Sequence, residues 1–258
     1  MLPNEWQNKI SGALAERLAP LGMSVLGWFA VLPLECSDSE LAGYGPAVLI
    51  GNKGGAMWPV FAASAEFRDS KPDPMDRWTR RVLGEIAMEL VPQARQLFPF
   101  GETVWPFQRW AGRAMGVSQS PLGLLVHREY GLWFALRAAL VFPHSDAAVE
   151  KVIQRVDELN HPCLECDEKP CLNACPVTAF SESGFAVNAC RSYLDSTPQS
   201  VASSQIDSTK PDCLRLGCAA RNACPVGREW RYGEAQLQFH MQSFARAFGR
   251  TKRSANRS

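Results

Sequence analysis

Residues 161–180 read HPCLECDEKPCLNACPVTAF, residues 188–195 read NACRSYLD, and residues 211–225 read PDCLRLGCAARNACP. Eight of the nine cysteines fall in this stretch: Cys163, Cys166, Cys171, Cys175, Cys190, Cys213, Cys218 and Cys224. Cys175 and Cys224 are each followed by proline. A disulfide framework fits poorly, because the cysteine total is odd, no signal peptide is read, and 258 residues suffice for an ordinary core. Structural zinc fits poorly too, because such sites pair cysteines with nearby histidines.

Cys-Pro closing a tight cysteine run is the local signature of a bacterial-type ferredoxin with two iron–sulfur clusters. A four-iron cluster needs four soft thiolates converging on one point. Three come from one short loop, and the fourth comes from elsewhere because the chain is already leaving. The cysteine before proline is the natural exporter, since proline has no N–H and fixes the turn. One cluster is therefore assigned to Cys163, Cys166, Cys171 and Cys224, and the other to Cys175, Cys190, Cys213 and Cys218. The spacing departs from the standard run: four residues separate Cys166 from Cys171 where two are usual. The layout, with Cys190-x-Ser192-Tyr193-Leu194 between the runs, resembles the double [4Fe-4S] module of epoxyqueuosine reductases and reductive dehalogenases. Those families depend on cobalamin.

The rest of the chain reads as a mixed α and β domain. Residues 4–19 form a helix pattern capped by Asn4, with Trp6, Ile10, Leu14 and Leu18 on one face. Residues 23–32 and 46–50 read as buried strands. Gly51-Asn52-Lys53-Gly54-Gly55 follows. It is either a phosphate-facing loop or a plain strand-to-helix turn, and it matches no nucleotide-binding fingerprint. Helices are expected over 56–67, over 73–91 with Asp73 as cap and Pro74 in the first turn, and over 107–117. Residues 122–127 and 130–143 read as a hairpin turning at Arg128-Glu129. Arg137 within the second strand is costly to bury unpaired. It faces either a bound anion or an acidic residue of the chain. Helices are also expected over 145–160 and 230–248, the latter ending at Gly249. Cys36 reads as a buried apolar residue.

Residues 45–143 carry a second resemblance. GPAVLIGNKGGAMWPVF, DPMDRWTRRVLGEI, RWAGRAMG and HREYGLWFALRAALVFP are similar, in order and approximate spacing, to the CblC-type cobalamin-processing family. That family has a nitroreductase-like α+β fold, binds cobalamin base-off and removes its upper axial ligand. The resemblance implies that Gly131, Trp133 and Phe134 belong to a pocket-forming strand. It matches Arg137 to an arginine associated with glutathione binding. Arg109 stands where the family's human member has a histidine. The later family arginines lie beyond residue 143, where this chain has become cysteine-rich.

The expected architecture is thus α+β: a nitroreductase-like, cobalamin-binding domain over 1–150 and a two-cluster ferredoxin module over 151–258 with a C-terminal helix and basic tail. The expected activity is oxidoreductase chemistry of the cobalamin reductase or decyanase type. An external donor (flavodoxin, ferredoxin or reductase) charges two [4Fe-4S] clusters, and these reduce a corrinoid in the N-terminal pocket. No individual catalytic residue is identified. None of the histidines His127, His144, His161 and His240 stands in a cobalt-ligand motif. The alternatives are an epoxyqueuosine-reductase-like enzyme and a plain electron carrier. Net charge is +1, so no nucleic-acid partner is expected. No apolar run approaches the length of a membrane span, and the opening MLPNEWQNKI reads as no leader, so the expected location is cytoplasmic.

Overall fold

Two ten-residue strands, Tyr44–Lys53 and Phe134–Pro143, are built almost wholly of apolar and small side chains, and both are buried along most of their length. The computed structural model describes residues 3–32, 35, 41–143, 161–181, 184–196 and 211–255. Its strands are β1 (Ser24–Ala30), β2 (Tyr44–Lys53), β3 (Arg95–Leu97), β4 (Ser118–Gln119), β5 (Leu125–Val126), β6 (Phe134–Pro143), β7 (Phe180–Ser181) and β8 (Gly184–Phe185). The main sheet has the order β1-β2-β6-β3, with every neighbour antiparallel. Burial on both faces explains why these strands read as continuous apolar runs without alternation.

The helices of the first half are α1 (Pro3–Leu18), α2 (Trp58–Ala62), α3 (Ala65–Arg68), α4 (Pro74–Leu90) and α5 (Phe107–Met115). Helices α1 and α5 pack against β1, and α4 against β6. Leu14 and Leu18 of α1 are fully buried, as are Trp110 of α5 and Trp78 of α4 to within 2%. An antiparallel sheet covered by helices is an α+β arrangement, as expected from the sequence.

The chain forms two units. The first comprises Met1–Ser118 and Phe134–Asn160, the second Gln119–Trp133 and His161–Ser258. Residues 119–133 therefore group with the cysteine-rich part. The hairpin expected over 122–143 does not form as such. β5 pairs with β4 and β6 joins the main sheet, while His127 and Gly131 form an isolated antiparallel bridge in the turn between them. The helix expected over 56–67 is broken, because Ser64 adopts an extended conformation and its hydroxyl accepts from the Phe67 N–H at 3.2 Å, starting α3 afresh. Asp73 does precede α4, but with φ 51° and no capping bond from its side chain. Helix α1 begins at Pro3, so Asn4 lies inside it. The helix expected over 145–160, together with Cys36 and His144, lies outside the described residues.

In the second unit, α6 (Pro170–Asn173), α7 (Val187–Ser196), α8 (Cys213–Leu216), α9 (Ala219–Ala223) and α10 (Glu234–Ala255) carry or follow the cysteines. α10 runs through Gly249, since an internal glycine costs a helix only about 1 kcal/mol. Residues 119–133 are held to the Cys-Pro turn by two reciprocal glycines. A Cβ at Gly131 would sit 2.1 Å from the Val226 carbonyl oxygen, and one at Gly227 would sit 2.4 Å from the Tyr130 carbonyl carbon. Both have positive φ, 55° and 66°. The edge of Tyr130 meets Trp230 with centroids 5.0 Å apart.

Within the first unit one buried carboxylate organises α5. Glu35 accepts from Arg113 Nη1 at 3.0 Å, from Trp110 Nε1 at 3.2 Å and from the Leu32 N–H at 3.2 Å. Burial raises the Glu35 pKa, but hydrogen bonds from Arg113 and Leu32 and the Arg113 charge outweigh it, leaving the value below the ordinary 4.5.

Two outcomes follow for stability. Glu35→Gln should cost the first unit about 1–3 kcal/mol by leaving Arg113 without its carboxylate, as read by urea unfolding followed through tryptophan fluorescence. A depressed carboxylate pKa stabilises above the unfolded value and loses that contribution as pH falls through the folded one. The wild-type advantage should therefore be full above pH 4.5, shrink below it, and be absent in the variant. Separately, Gly227→Ala should destabilise the second unit by roughly 1–3 kcal/mol through overpacking, with a smaller effect from Gly233→Ala, where nothing lies within 4 Å of the added Cβ.

Candidate metal centre

The eight cysteines of the second unit are all free thiols. Cys163 and Cys166 lie in the loop before α6, and Cys171 lies on its first turn, buried. His161 fixes that loop: its Nδ1 accepts the Cys163 N–H at 3.1 Å, so Nε2 carries the proton and faces the Gln119 carbonyl at 2.9 Å. Cys224 follows α9 and is buried with Cys171 against Leu122, Val126, Leu132 and Ala220. Cys175, one helical turn after Cys171, takes the Ala179 N–H on its sulfur at 3.3 Å.

Cys190 sits on α7, whose Leu194 is buried with Cys213 and Leu214. Tyr193, in the same turn, donates its hydroxyl to the Pro211 carbonyl at 2.6 Å and ties α7 to the segment leading into α8. Asp212 caps α8 by accepting the Arg215 N–H at 3.0 Å. Cys175, Cys190, Cys213 and Cys218 line one small cavity together with apolar groups such as Phe180 and Met241.

Electrostatics sorts the thiols into two groups. Cys163 is pushed up to about 11, first by burial and then by Cys224, Cys171 and Cys166. Cys190 is pushed up to about 11 by burial and then by Cys218, Cys175 and Cys213. Cys213 is likewise pushed up to about 11, chiefly by burial, with Cys218 and Cys175 adding to it. Each group of four thus holds three cysteines from one region and one, Cys224 or Cys175, from a Cys-Pro step in the other. Thiols with such raised values stay protonated at neutral pH, so a metal would have to displace protons. Among the described residues, no three His, Cys, Asp or Glu side chains close on a single ion.

The four residues matched to a corrinoid pocket fall on both sides of the division between the units, Gly131 and Trp133 in the second and Phe134 and Arg137 in the first. Gly131 abuts Val226, and Trp133 is fully buried in the second unit with its ring 5.4 Å from that of Tyr232. Phe134 and Arg137 lie on β6 in the first unit. Arg137 is buried and donates from Nε to Asn52 Oδ1 at 2.9 Å, and its charge is felt by Asp76. Asn52 in turn donates to the Gly54 carbonyl at 3.0 Å and closes the glycine-rich turn with its own side chain. Arg109 is mostly exposed, 3.6 Å from Glu35. The sequence reading did not single out Arg221, which lies between Cys218 and Cys224 and stacks on Trp133. Its only signal was a lone cation inside a cysteine loop.

No family model matches the chain, and no curated protein does. Solved structures do. An epoxyqueuosine reductase, seen with a tRNA-Tyr epoxyqueuosine-modified stem loop, overlays with a TM-score of 0.52 at 14% identity, covering 90% of this chain and 68% of that one. A selenomethionine-labelled epoxyqueuosine reductase gives 0.49 at 16% identity over 90% and 69%. The C. elegans B12-trafficking protein CblC gives 0.46 at 14% identity over 93% and 95%. The first of these establishes a shared fold with an epoxyqueuosine reductase, and at such identities the likeness extends to fold alone.

Proposed function

We propose that this chain is an iron–sulfur oxidoreductase that delivers electrons to a corrinoid. In this reading Cys163, Cys166, Cys171 and Cys224 hold one [4Fe-4S] cluster of a bacterial-type ferredoxin module, and Cys175, Cys190, Cys213 and Cys218 hold the second. The observation that carries it is the sorting of eight thiols into two groups of four, each with one member exported across a Cys-Pro step. Soft thiolates in fours, with no histidine among them, suit an iron–sulfur core. The clusters supply one-electron transfer at low potential, and a corrinoid supplies a cobalt that sheds axial ligands on reduction.

The chain's own residues do the rest. Burial of Cys171, Cys213 and Cys224 keeps water from the sulfurs. His161, Ala179 and Tyr193 fix the loops that bear them. The corrinoid is assigned to a nitroreductase-like first domain, on the resemblance carried by residues 45–143. The substrate step is removal of the upper axial ligand or simple reduction of the cobalt, with an external flavodoxin-, ferredoxin- or reductase-type donor. A cytoplasmic location belongs to the same proposal, and among the described residues no helix is long and apolar enough to cross a membrane.

A second reading is favoured by the overlay on a reductase seen with a tRNA stem loop. The chain then acts on a modified transfer RNA, and the expectation of no nucleic-acid partner fails.

Anaerobic purification with iron counting tests the shared part. About eight irons per chain are expected, falling to about four in Cys190→Ser. A colourless chain after anaerobic reconstitution, or full iron in that variant, would overturn the assignment. Adding cyanocobalamin under reductant should shift the corrin spectrum to base-off and then to reduced cobalt. Binding of a queuosine-type tRNA stem loop selects the second reading, and an unchanged corrin spectrum selects the plain electron carrier.

A further inference from the structure

The cavity lined by Cys175, Cys190, Cys213 and Cys218 has apolar walls that continue to the surface. Phe180 and Met241 line it. Phe180 stacks on Phe185 with centroids 4.7 Å apart, and Phe185, though aromatic, is 37% exposed. The Phe185 ring lies 6.4 Å from that of Phe244 on α10. Met241, Phe244 and Ala245 of α10 pack against the buried Leu194, Cys213 and Leu214, as Cys190 does. The next residue, Arg246, is exposed and donates to Ser243 Oγ at 3.3 Å. Among the described residues no carboxylate pairs with it. Beyond it α10 carries Arg250, Lys252 and Arg253, and no acidic residue follows Glu234 on this helix. A cation in a helix's last turn answers the helix dipole, but Arg246 stands more than two turns before Ala255. On α7, Arg191 and Asp195 pair at 3.4 Å and leave no net charge.

We propose that this patch, the exposed Phe185 beside the basic second half of α10, is where a small acidic electron-carrier protein docks to reduce the cluster assigned to Cys175, Cys190, Cys213 and Cys218. The inference rests on the proposed function, since it gives a docking face to the external donor which that reading requires. One electron passes from the reduced carrier to the cluster. The carrier is oxidised by that electron, the cluster is reduced by it, and no bond forms or breaks. Electron transfer falls off steeply with distance, so the carrier must sit over the thiol group rather than elsewhere on the unit. Residues 241–245 put α10 in direct packing with that group. Redox encounters use small interfaces, with an apolar centre and a polar rim, which suits one exposed ring beside a run of cations. Opposite charge draws the partner on and sets its orientation. A nucleic acid would also be drawn to the cations. It has no need to sit above a cluster, however, and one face of Phe185 is already stacked on Phe180 at an interplanar angle of 10°.

The test is stopped-flow reduction of the full, anaerobically reconstituted chain by a reduced acidic flavodoxin. It compares wild type, Arg246→Glu, and a variant combining Arg250→Gln, Lys252→Gln and Arg253→Gln. The methyl viologen radical serves as a small reductant that needs no docking. Wild type should first show about eight irons, and a chain without them sinks the proposed function rather than this inference. Given the clusters, flavodoxin should reduce wild type faster at low salt than at about 1 M, where charges are screened beyond about 3 Å. Both variants should lose about tenfold of the low-salt rate, with a flatter salt dependence and no slowing by viologen. Flavodoxin rates equal to wild type in iron-replete variants overturn the proposal. So does an equal slowing with viologen, which marks damage to the cluster rather than to docking. Binding of a tRNA stem loop that both variants lose, with flavodoxin rates unmoved, gives the face to nucleic acid and overturns it too.

Discussion

The burial of cysteines from distant loops in shared apolar clusters is the constraint on which the second unit depends. Three of its helices, α6, α8 and α9, are four or five residues long. Helices so short are unstable on their own, because the first turn fixes several dihedrals for a single hydrogen bond. They persist here because the residues they carry point into shared groups. Cys171 and Cys224, far apart in sequence, are buried in one apolar cluster, and Cys213 is buried with Leu194 and Leu214 in the other. A loop whose buried cysteine packs against one from a distant loop resists opening alone. In the proposed reading, loading a cluster would displace protons from buried thiols such as Cys190 and Cys213, which couples metal affinity to proton release.

The same logic explains why residues 119–133 leave the sheet-bearing unit. Leu122, Val126 and Leu132 supply apolar cover for Cys171 and Cys224, which the cysteine loops, rich in charge, do not supply themselves. Backbone contact at Gly131 and Gly227 closes the arrangement without a side chain between the strands of chain. A small unit with little core of its own thus borrows one from earlier in the sequence.

Much of this was legible. Periodicity placed α4, and the apolar runs placed β1, β2 and β6, because burial on both sheet faces leaves a strong signal. The two-cluster assignment read from the cysteine spacing belongs to the proposed function. The destination of residues 122–127 was not legible. LGLLVH says that a face must be buried, but nothing in the pattern says against which partner. The break at Ser64 was missed because serine is a tolerable helix residue and a strong cap, and only its extended backbone decides between the two. The pocket residues inherited from a family resemblance lie where the chain passes from one unit to the other, Gly131 and Trp133 on one side and Phe134 and Arg137 on the other.

Arg137 and Arg221 show why net charge says so little about this chain. Both are cations set among aromatic and apolar groups. Arg137 is answered locally, by the Asn52 oxygen and by the field of Asp76, whose pKa burial and Asp73 raise while Arg137 opposes. Its charge is largely spent inside the first unit. Arg221 is answered by ring faces and one carbonyl, all uncharged. A total of +1 averages over both cases. What distinguishes them is whether a carboxylate shares the cation's surroundings, as Asp76 does for Arg137.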